Sequence, residues 1–446
     1  MTALSLLLIA ALAVGGFLAY NWYYLRPEPV PVGTPAQPAA ATVDPSILPV
    51  DDSAPTPTAR GVAAQLRAGL KDSDLGKLTG MVSDPSTGQT LWSRSPDEPR
   101  TPASNAKILT AAAALLQLDH DARLRTQVVA GPDGQVILVG AVDPTLSVQP
   151  EGADTFYTDA PRIADLAAQV RRAGVPVSSV AVAPSSVTGP AMASSWDDAD
   201  IEGGDIAPIT SLMTDGARLD PLDEYSPRST TAALDAGRAL AAALEVNSPV
   251  TEATPASTAQ VLATVESAPL SARVGDMMRL SDNVLAETLA VELSVAMGGP
   301  PSIAGGADAV VKVLRDNGFD VAGVVLRDAS GLSAADKVPA RLLEQLVSAA
   351  AGDKQPELRP MLDTFPVAAG TGTLTDRFDP KTNPGAGWVR AKTGTLTGVS
   401  SLTGIVQTVD GRVLTFAFMS GGTSPADARP ALDALAGALR ECGCGG

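Results

Sequence analysis

The sequence predicts a mixed α/β (α+β) protein of two domains or more, and three observations carry that expectation. The chain has 446 residues, more than one ordinary core accommodates. Hydrophobic residues make up 45% and charged residues 18%, so the body is foldable rather than disordered. Apolar periodicity also changes along the chain. Helix and strands come first, then a long segment of short elements, then helices, then strands and a last helix.

Residues 1–25 read as a membrane anchor or signal segment. Ala3 to Tyr20 is apolar apart from Ser5, near the lower length limit for a span. Trp22, Tyr23 and Tyr24 follow as an interfacial belt would. Arg26 is the only basic residue before Arg60, so the usual charge asymmetry before a span is missing. Residues 26–57 are rich in Pro, Ala and Thr and read as an extended linker.

The globular part starts near Thr58. Ala59 to Leu70 has helical periodicity. Leu78 to Val82 and Thr90 to Trp92 flank Asp84-Pro85-Ser86-Thr87-Gly88, a hairpin signal. Ser104 to Leu118 reads as a helix with an Ala-rich apolar face. From Arg123 to Leu262 short elements alternate: Val128, Val136 and Leu138 are strand-like, and Ile163 to Ala173 and Ala232 to Leu244 are helix-like. Met277 to Ala296 is helical with a polar break at Ser281 to Asn283. Trp388 to Thr403 reads as one strand-like run. Leu402 to Val409 and Val413 to Met419 flank Asp410-Gly411, a second hairpin, and Ala426 to Arg440 closes the chain as a helix.

Net charge is −17, and no Lys/Arg cluster exists, which argues against a nucleic-acid partner. The two cysteines, Cys442 and Cys444, lie at the extreme end. No disulfide is expected to staple the body, and both are read as free. With one histidine, His120, a structural zinc site is not expected, and neither a metal nor another cofactor is implied.

Three motifs occur once each: Ser104-Asn105-Ala106-Lys107, Ser281-Asp282-Asn283 and Lys392-Thr393-Gly394. Ser104 sits at a helix start, where free N–H groups and partial positive charge suit an oxyanion. Lys107 lies one turn on, on the same helical face. A buried lysine crowded by a second one loses its proton more easily and then takes the proton of Ser104. His120 lies 16 residues further along, too far for a Ser-His pair. Ser281 is placed to pass a proton to a leaving group, and Asn283 to bind a peptide carbonyl. Lys392 and the hydroxyls of Thr393 and Thr395 suit a carboxylate. Gly394 leaves room for a substrate strand, and the N–H groups of Ser104 and Thr395 suit an oxyanion hole.

This motif set resembles that of penicillin-binding proteins and serine β-lactamases. Ser104 and Ser281 are 281 − 104 = 177 residues apart, much more than in a compact β-lactamase. That spacing resembles the class C low-molecular-mass penicillin-binding proteins, of penicillin-binding protein 4 type (peptidase family S13). Asp143-Pro144-Thr145-Leu146, Asp328 to Ser333 and Pro366 to Leu374 agree, and the resemblance runs from about residue 59 to 440. Departures are Asp336-Lys337 where Asn-Arg is expected, a missing asparagine in Pro208 to Asp220, and an insertion shorter than in the longest members.

The resemblance implies a penicillin-binding-protein/serine β-lactamase-like transpeptidase fold. Residues 58–122 and 263–446 would form the catalytic domain, with 123–262 as an inserted domain or domains. It implies a serine-type D-Ala-D-Ala carboxypeptidase, with possible DD-endopeptidase activity, acting on peptidoglycan stem peptides outside the cytoplasmic membrane. β-Lactams would be covalent inhibitors. Ser104, Lys107, Ser281, Asn283 and Lys392 would be catalytic, with Thr393, Gly394 and Thr395 binding substrate. Asp143, on a turn that borders the cleft in this family, would select the diamino acid of the stem peptide; an Asp capping a turn is the alternative. A β-lactamase, a transpeptidase and a non-catalytic wall-binding scaffold stay open, although no Glu-x-x-Leu-Asn deacylating motif is present.

Overall fold

The computed structural model describes residues 54–443, so the expected anchor and nearly all of the linker lie outside the described residues. A helix, Ala59–Leu66, comes first among the described elements, with the Thr58 hydroxyl accepting from the Gly61 N–H at 3.0 Å. The hairpin β1 (Thr79–Asp84) and β2 (Gln89–Arg94) forms where the turn residues place it, and a short strand β3 (Pro99–Arg100) follows. After the helix Ala106–Gln117 come β4 (Arg125–Ala130), β5 (Gln135–Val139), β6 (Ser179–Val182), β7 (Thr251–Glu252) and β8 (Val261–Glu266). Helices Leu270–Leu280, Asn283–Ala296 and Ile303–Asp316 precede β9 (Val338–Pro339) and the helix Ala340–Ala351. The chain then runs through β10 (Val389–Leu396), β11 (Val399–Gln407) and β12 (Val413–Gly421) into the helix Pro425–Arg440.

The first sheet has the order β10-β11-β12-β1-β2, with antiparallel neighbours, and unites the two ends of the chain. Period-two alternation in β12 explains how it is covered. Phe416 and Phe418 pack with Leu66, Leu432 and Leu435 from the first and last helices. Ala417 and Met419 pack on the other side with Leu343, Leu346 and the helix Ala106–Gln117. Residues 106–115 are buried all round, and their many alanines let neighbouring helices close on them. At one end of the sheet Asp84 accepts from Arg412 Nε and Nη2 at 2.8–3.1 Å, a buried pair joining β1 to the β11–β12 turn.

The segment between the first two motifs builds a second sheet, β7-β6-β5-β4-β8, in which β5–β6 and β6–β7 are parallel. Helices Ile163–Arg172 and Ala232–Ala243 cover it through Leu166, Val170, Ala236 and Leu240. Strand β8 crosses the expected boundary at 262, and its pairing with β4 carries this segment on to Glu266. The expected strand-like run Trp388 to Thr403 is two strands, because the chain turns at Thr397-Gly398, where Gly398 has φ 70°. His120 is half-buried beyond the helix Ala106–Gln117, with Nε2 at 2.9 Å from the Leu115 carbonyl. Cys442 is buried and disulfide-bonded, which corrects the expectation of free thiols.

Candidate active site

Ser104 lies in a single 3-10 turn, Ala103–Asn105, that leads into the helix Ala106–Gln117. The preceding Ala103 has φ 48°, in the left-handed region, so the turn presenting Ser104 is strained. Packing holds it there. A Cβ on Gly331 would come within 1.9 Å of the Ala103 carbonyl oxygen, so only glycine fits against the turn. Ser401 Oγ donates to the Pro102 carbonyl at 2.7 Å, and Asn105 Nδ2 donates to Thr403 Oγ1 at 2.9 Å. The same contact explains Gly394: a Cβ there would meet Ser401 Oγ at 2.3 Å and the Pro102 carbonyl oxygen at 2.7 Å. Gly394 thus lets β10 lie against the serine turn; the expected role, room for a substrate strand, is not the contact seen.

Lys107 has no solvent exposure. Its Nζ donates to Ser104 Oγ at 3.1 Å, Asn283 Oδ1 at 2.5 Å and the Ser330 carbonyl at 2.8 Å. Three acceptors satisfy the three N–H groups of an ammonium, so the neutral amine would have a lone pair to turn on one of them. Burial pushes Lys107 down, Asp328, Asp282, Glu287 and Asp205 pull it back, and it settles at about 8. Lys392, also fully buried, donates to Ser281 Oγ at 2.8 Å and to the Thr393 carbonyl at 2.9 Å. Burial, and then the charge of Lys107, hold it well below the ordinary lysine value. Desolvation is therefore the main cause for both lysines, rather than their mutual repulsion.

The second motif sits between two helix ends. Ser281 ends the helix Leu270–Leu280 with φ 57°, Asp282 caps the next helix through the Leu285 N–H at 2.8 Å, and Asn283 begins it. This left-handed kink separates the side chains. Ser281 and Asn283 reach the two lysines, while Asp282 is buried toward the inserted segment. There Arg218 Nη2 donates to Asp282 Oδ2 at 2.8 Å and the Tyr157 hydroxyl donates at 3.0 Å. Burial alone would raise Asp282, but Arg218 and Arg228 hold it well below the usual carboxylate range. Asn283 Nδ2 donates to the Asp205 carbonyl at 3.0 Å, a further contact from that segment.

Ser104, Lys107 and Asn283 thus form one hydrogen-bonded group and Ser281 and Lys392 a second, and the second motif and the effect of Lys107 on Lys392 tie the two together. Thr393 and Thr395 lie beside it on β10, and Thr393 Oγ1 donates to Thr373 Oγ1 at 2.8 Å. Asp143 is not part of the cluster. It is 2% exposed, and one of its oxygens accepts from the Thr145 N–H and hydroxyl at 2.9 and 2.6 Å. A carboxylate so enclosed caps its turn before Pro144 and is no rim group for an ammonium, which corrects the expected substrate contact. Residues the motifs do not reveal include Asp205, Arg218, Ser330 and Thr373. Arg218, Ser330 and Thr373 each fall in a stretch noted from the sequence, whereas Asp205, which acts through its carbonyl and its charge, lies in none.

Comparisons with known proteins bear on the family and the fold. The family described as "D-Ala-D-Ala carboxypeptidase 3 (S13) family" matches residues 62–226 and 220–442. A carboxypeptidase of Mycobacterium tuberculosis is 51% identical over 413 residues, spanning 91% of this chain and 89% of its own length. Carboxypeptidase DacB of Mycolicibacterium smegmatis is 50% identical over 418 residues, spanning 92% and 90%. The crystal structure of penicillin binding protein 4 (dacB) from Haemophilus influenzae superposes with a TM-score of 0.69 at 19% identity, covering 85% of this chain and 98% of that one. That likeness bears on the fold alone, and the fold is the one expected from the sequence.

Arg218 offers a direct test of the Asp282 network. Removing one partner of a buried ion pair leaves the other charge uncompensated, which costs roughly 3–5 kcal/mol. Arg218→Ala should lower unfolding stability by that order in chemical denaturation. Adding Asp282→Asn should recover part of the loss; strictly additive losses would show that the pair is not coupled.

Proposed function

The chain belongs to the D-Ala-D-Ala carboxypeptidase 3 (S13) family, and on that premise we propose that it trims peptidoglycan stem peptides through an acyl-enzyme on Ser104. Neutral Lys107 takes the Ser104 proton as Oγ attacks the carbonyl of the penultimate D-Ala. The N–H groups of Ser104 and Thr395 face the resulting oxyanion. The peptide C–N bond then breaks, and the proton that Lys107 took from Ser104 is relayed through the Ser281 hydroxyl, beside Lys392, to the leaving D-Ala nitrogen, which returns Lys107 to the neutral amine. Water attacks the ester, Lys107 accepts its proton, and Ser104 Oγ is reprotonated as the shortened peptide leaves. Cross-linked peptides have the same D-Ala carbonyl, so endopeptidase cleavage uses the same steps. A β-lactam acylates Ser104 in the same way; a β-lactam complex is known for the structurally similar Haemophilus influenzae protein.

The observation that carries this reading is the 3.1 Å contact between Ser104 Oγ and a fully buried lysine amine held at about 8. Asn283 positions that amine and the substrate carbonyl, and Thr393, Gly394 and Thr395 form the strand on which the substrate lies. Residues 123–266 are read as an inserted domain that supports the second motif. The peptidoglycan substrate lies outside the cytoplasmic membrane, so the enzyme acts there, held by Ala3 to Tyr20 and the tether to Pro57. Among the described residues no helix is long and apolar enough to cross a membrane.

Ser104→Ala should fold normally and lose all covalent labelling by a fluorescent penicillin. Labelling that persists would put the nucleophile elsewhere.

The acylation rate of the wild type should rise with pH through about 8, because only the deprotonated fraction of Lys107 acts as base. The titration reports the lysine pair, since Lys107 and Lys392 interact. Lys107→Arg should lose roughly 10²–10⁴-fold, as guanidinium stays protonated. A flat pH profile, or near-normal acylation by the arginine variant, would assign the base to another group.

Full-length protein should sediment with membranes after cell fractionation. Recovery of a mature chain that begins beyond residue 20 would replace the anchor with a cleaved signal.

A further inference from the structure

The helix Asn283–Ala296 carries a buried acid that the mechanism above does not use. Glu287 lies one turn after Asn283, so the two side chains leave the same helical face. Glu287 has no solvent exposure. Its Oε1 accepts from the Ser330 N–H at 2.8 Å and from the Ala329 N–H at 3.0 Å, and Oε2 lies 3.2 Å from the Ala329 nitrogen. Across the same peptide, Thr110 Oγ1 donates to the Ala329 carbonyl at 2.6 Å. Thr110 is three residues after Lys107 on the helix Ala106–Gln117. The Ala329–Ser330 peptide is therefore gripped between two helices. The next carbonyl, that of Ser330, accepts from Lys107 Nζ at 2.8 Å.

The direction of a lone pair depends on that carbonyl. A neutral lysine has two N–H groups and one lone pair. For the lone pair to face Ser104 Oγ, the N–H groups must stay on Asn283 Oδ1 and the Ser330 carbonyl. Asn283 supplies the first acceptor and Glu287 fixes the second, so a single helix turn sets both. Charge acts alongside geometry. Asp328, Asp282, Glu287 and Asp205 favour the ammonium at 107, and Lys392 opposes it. The acids that face Glu287 itself are Asp328 and Asp336. From the helix Ala106–Gln117 the one charged side chain is Lys107. On the helix Leu270–Leu280, Arg273 is taken by Glu292, and Asp276 pairs with Arg279. The charged residues of the helix Ile303–Asp316 are all exposed. Burial first, and then Asp328, push Glu287 up to about 8, into the range where Lys107 also titrates.

We propose that Glu287 is a positioning residue for the acylation base: it fixes the Ser330 carbonyl against Lys107, which aims the amine's lone pair at Ser104, and as a carboxylate it steadies the proton that Lys107 then takes. This rests on the reading of Lys107 as the base. Glu287 touches neither substrate nor Ser104, and it gives and takes no proton in the reaction. Its two backbone donors suit an acceptor at this position, and its length lets it reach them from the helix that Asn283 begins.

The test measures the acylation rate of the full-length enzyme by a fluorescent penicillin between about pH 6 and about pH 10. The final labelled fraction reports how much enzyme is folded, and the midpoint of the rate profile reports the base in that fraction. Glu287→Gln keeps an oxygen for the two N–H groups and removes the charge. Loss of a nearby negative charge favours the neutral amine, so the midpoint should fall, by roughly half a unit to one unit. Glu287→Ala leaves both N–H groups unpaired and frees the carbonyl, so the plateau rate should drop by roughly 100-fold, the scale of a misplaced catalytic group. Thr110→Val removes the second grip on the same peptide. It should lower the midpoint too, because a slack carbonyl no longer favours the ammonium, and it decides the matter if Glu287→Gln takes no label. A residue that merely stabilises the fold would lower the labelled fraction and leave the midpoint in place. A midpoint in Glu287→Gln that coincides with the wild type's, or rises, overturns the assignment. Failure of the Lys107 reading looks different: a flat wild-type profile and near-normal acylation by Lys107→Arg.

Discussion

An ammonium group with no access to water is the constraint around which this protein is arranged. Moving an isolated charge into a low-dielectric interior is prohibitively costly unless acceptors and opposite charges surround it. Lys107 obtains its acceptors from three separate stretches: Ser104 on its own turn, Asn283 at the second motif and the Ser330 carbonyl from a distant loop. Asp328, Asp282 and Asp205 provide negative charge around it, and Glu287 adds to it once ionised. The balance falls short of full compensation, leaving Lys107 at about 8 instead of 10.5, a difference worth about 3 kcal/mol. On the proposed mechanism, that shortfall is what suits the amine to act as a base near neutral pH. A more generous acidic shell would hold the proton too firmly, and a poorer one would not tolerate the charged form.

The shell has its own solution to crowding. Glu287, Asp328 and Asp336 are all buried, and such close carboxyls cannot all be ionised at neutral pH. Glu287 is pushed up to about 8 and Asp336 to about 9, by burial first and then by Asp328. Asp328 accepts from Gly331 N, Ser333 N and Trp196 Nε1, each at 2.7 Å. Asp336 Oδ2 has no N–H donor, but a neutral Asp336 carries a proton that it donates to Asp328. The acid at 336 therefore serves as the amide expected at this position would serve. These contacts hold the 328–333 loop in the shape that offers Ser330 to Lys107 and fits Gly331 against Ala103.

The parts legible in the sequence are those with local causes. Turn residues at 84–88 and 410–411 mark both hairpins, and a polar break in an apolar run marks Ser281 to Asn283. The three motifs mark the lysines and hydroxyls because each has a recognisable neighbour. Long-range contacts leave weaker traces. Arg218 is one arginine in a noted run, and only the fold shows that it ends on Asp282. Asp143 looks available in the sequence because an acid beside proline is normally exposed, yet the chain packs over it at Leu212. Gly394 suggests room for a substrate, whereas its neighbour is the serine turn. Both neighbours come from distant parts of the chain, so no local pattern carries them.

The inserted segment is often the part of such a chain that looks dispensable, since all three motifs lie outside it. Its contacts argue otherwise. Arg218 and Tyr157 hold Asp282, which caps the helix that Asn283 begins; the Asp205 carbonyl holds Asn283 itself; Trp196 holds Asp328. Each contact ends on a residue that touches Lys107 or lies among the acids that act on it. The catalytic sheet presents Lys392 and the substrate strand without this help, because β10 is fixed by β11 and by the serine turn. The lysine beside Ser104 has no comparable support from the sheet. A segment of more than a hundred residues thus bears on one proton affinity, through a cap, a carbonyl and an indole.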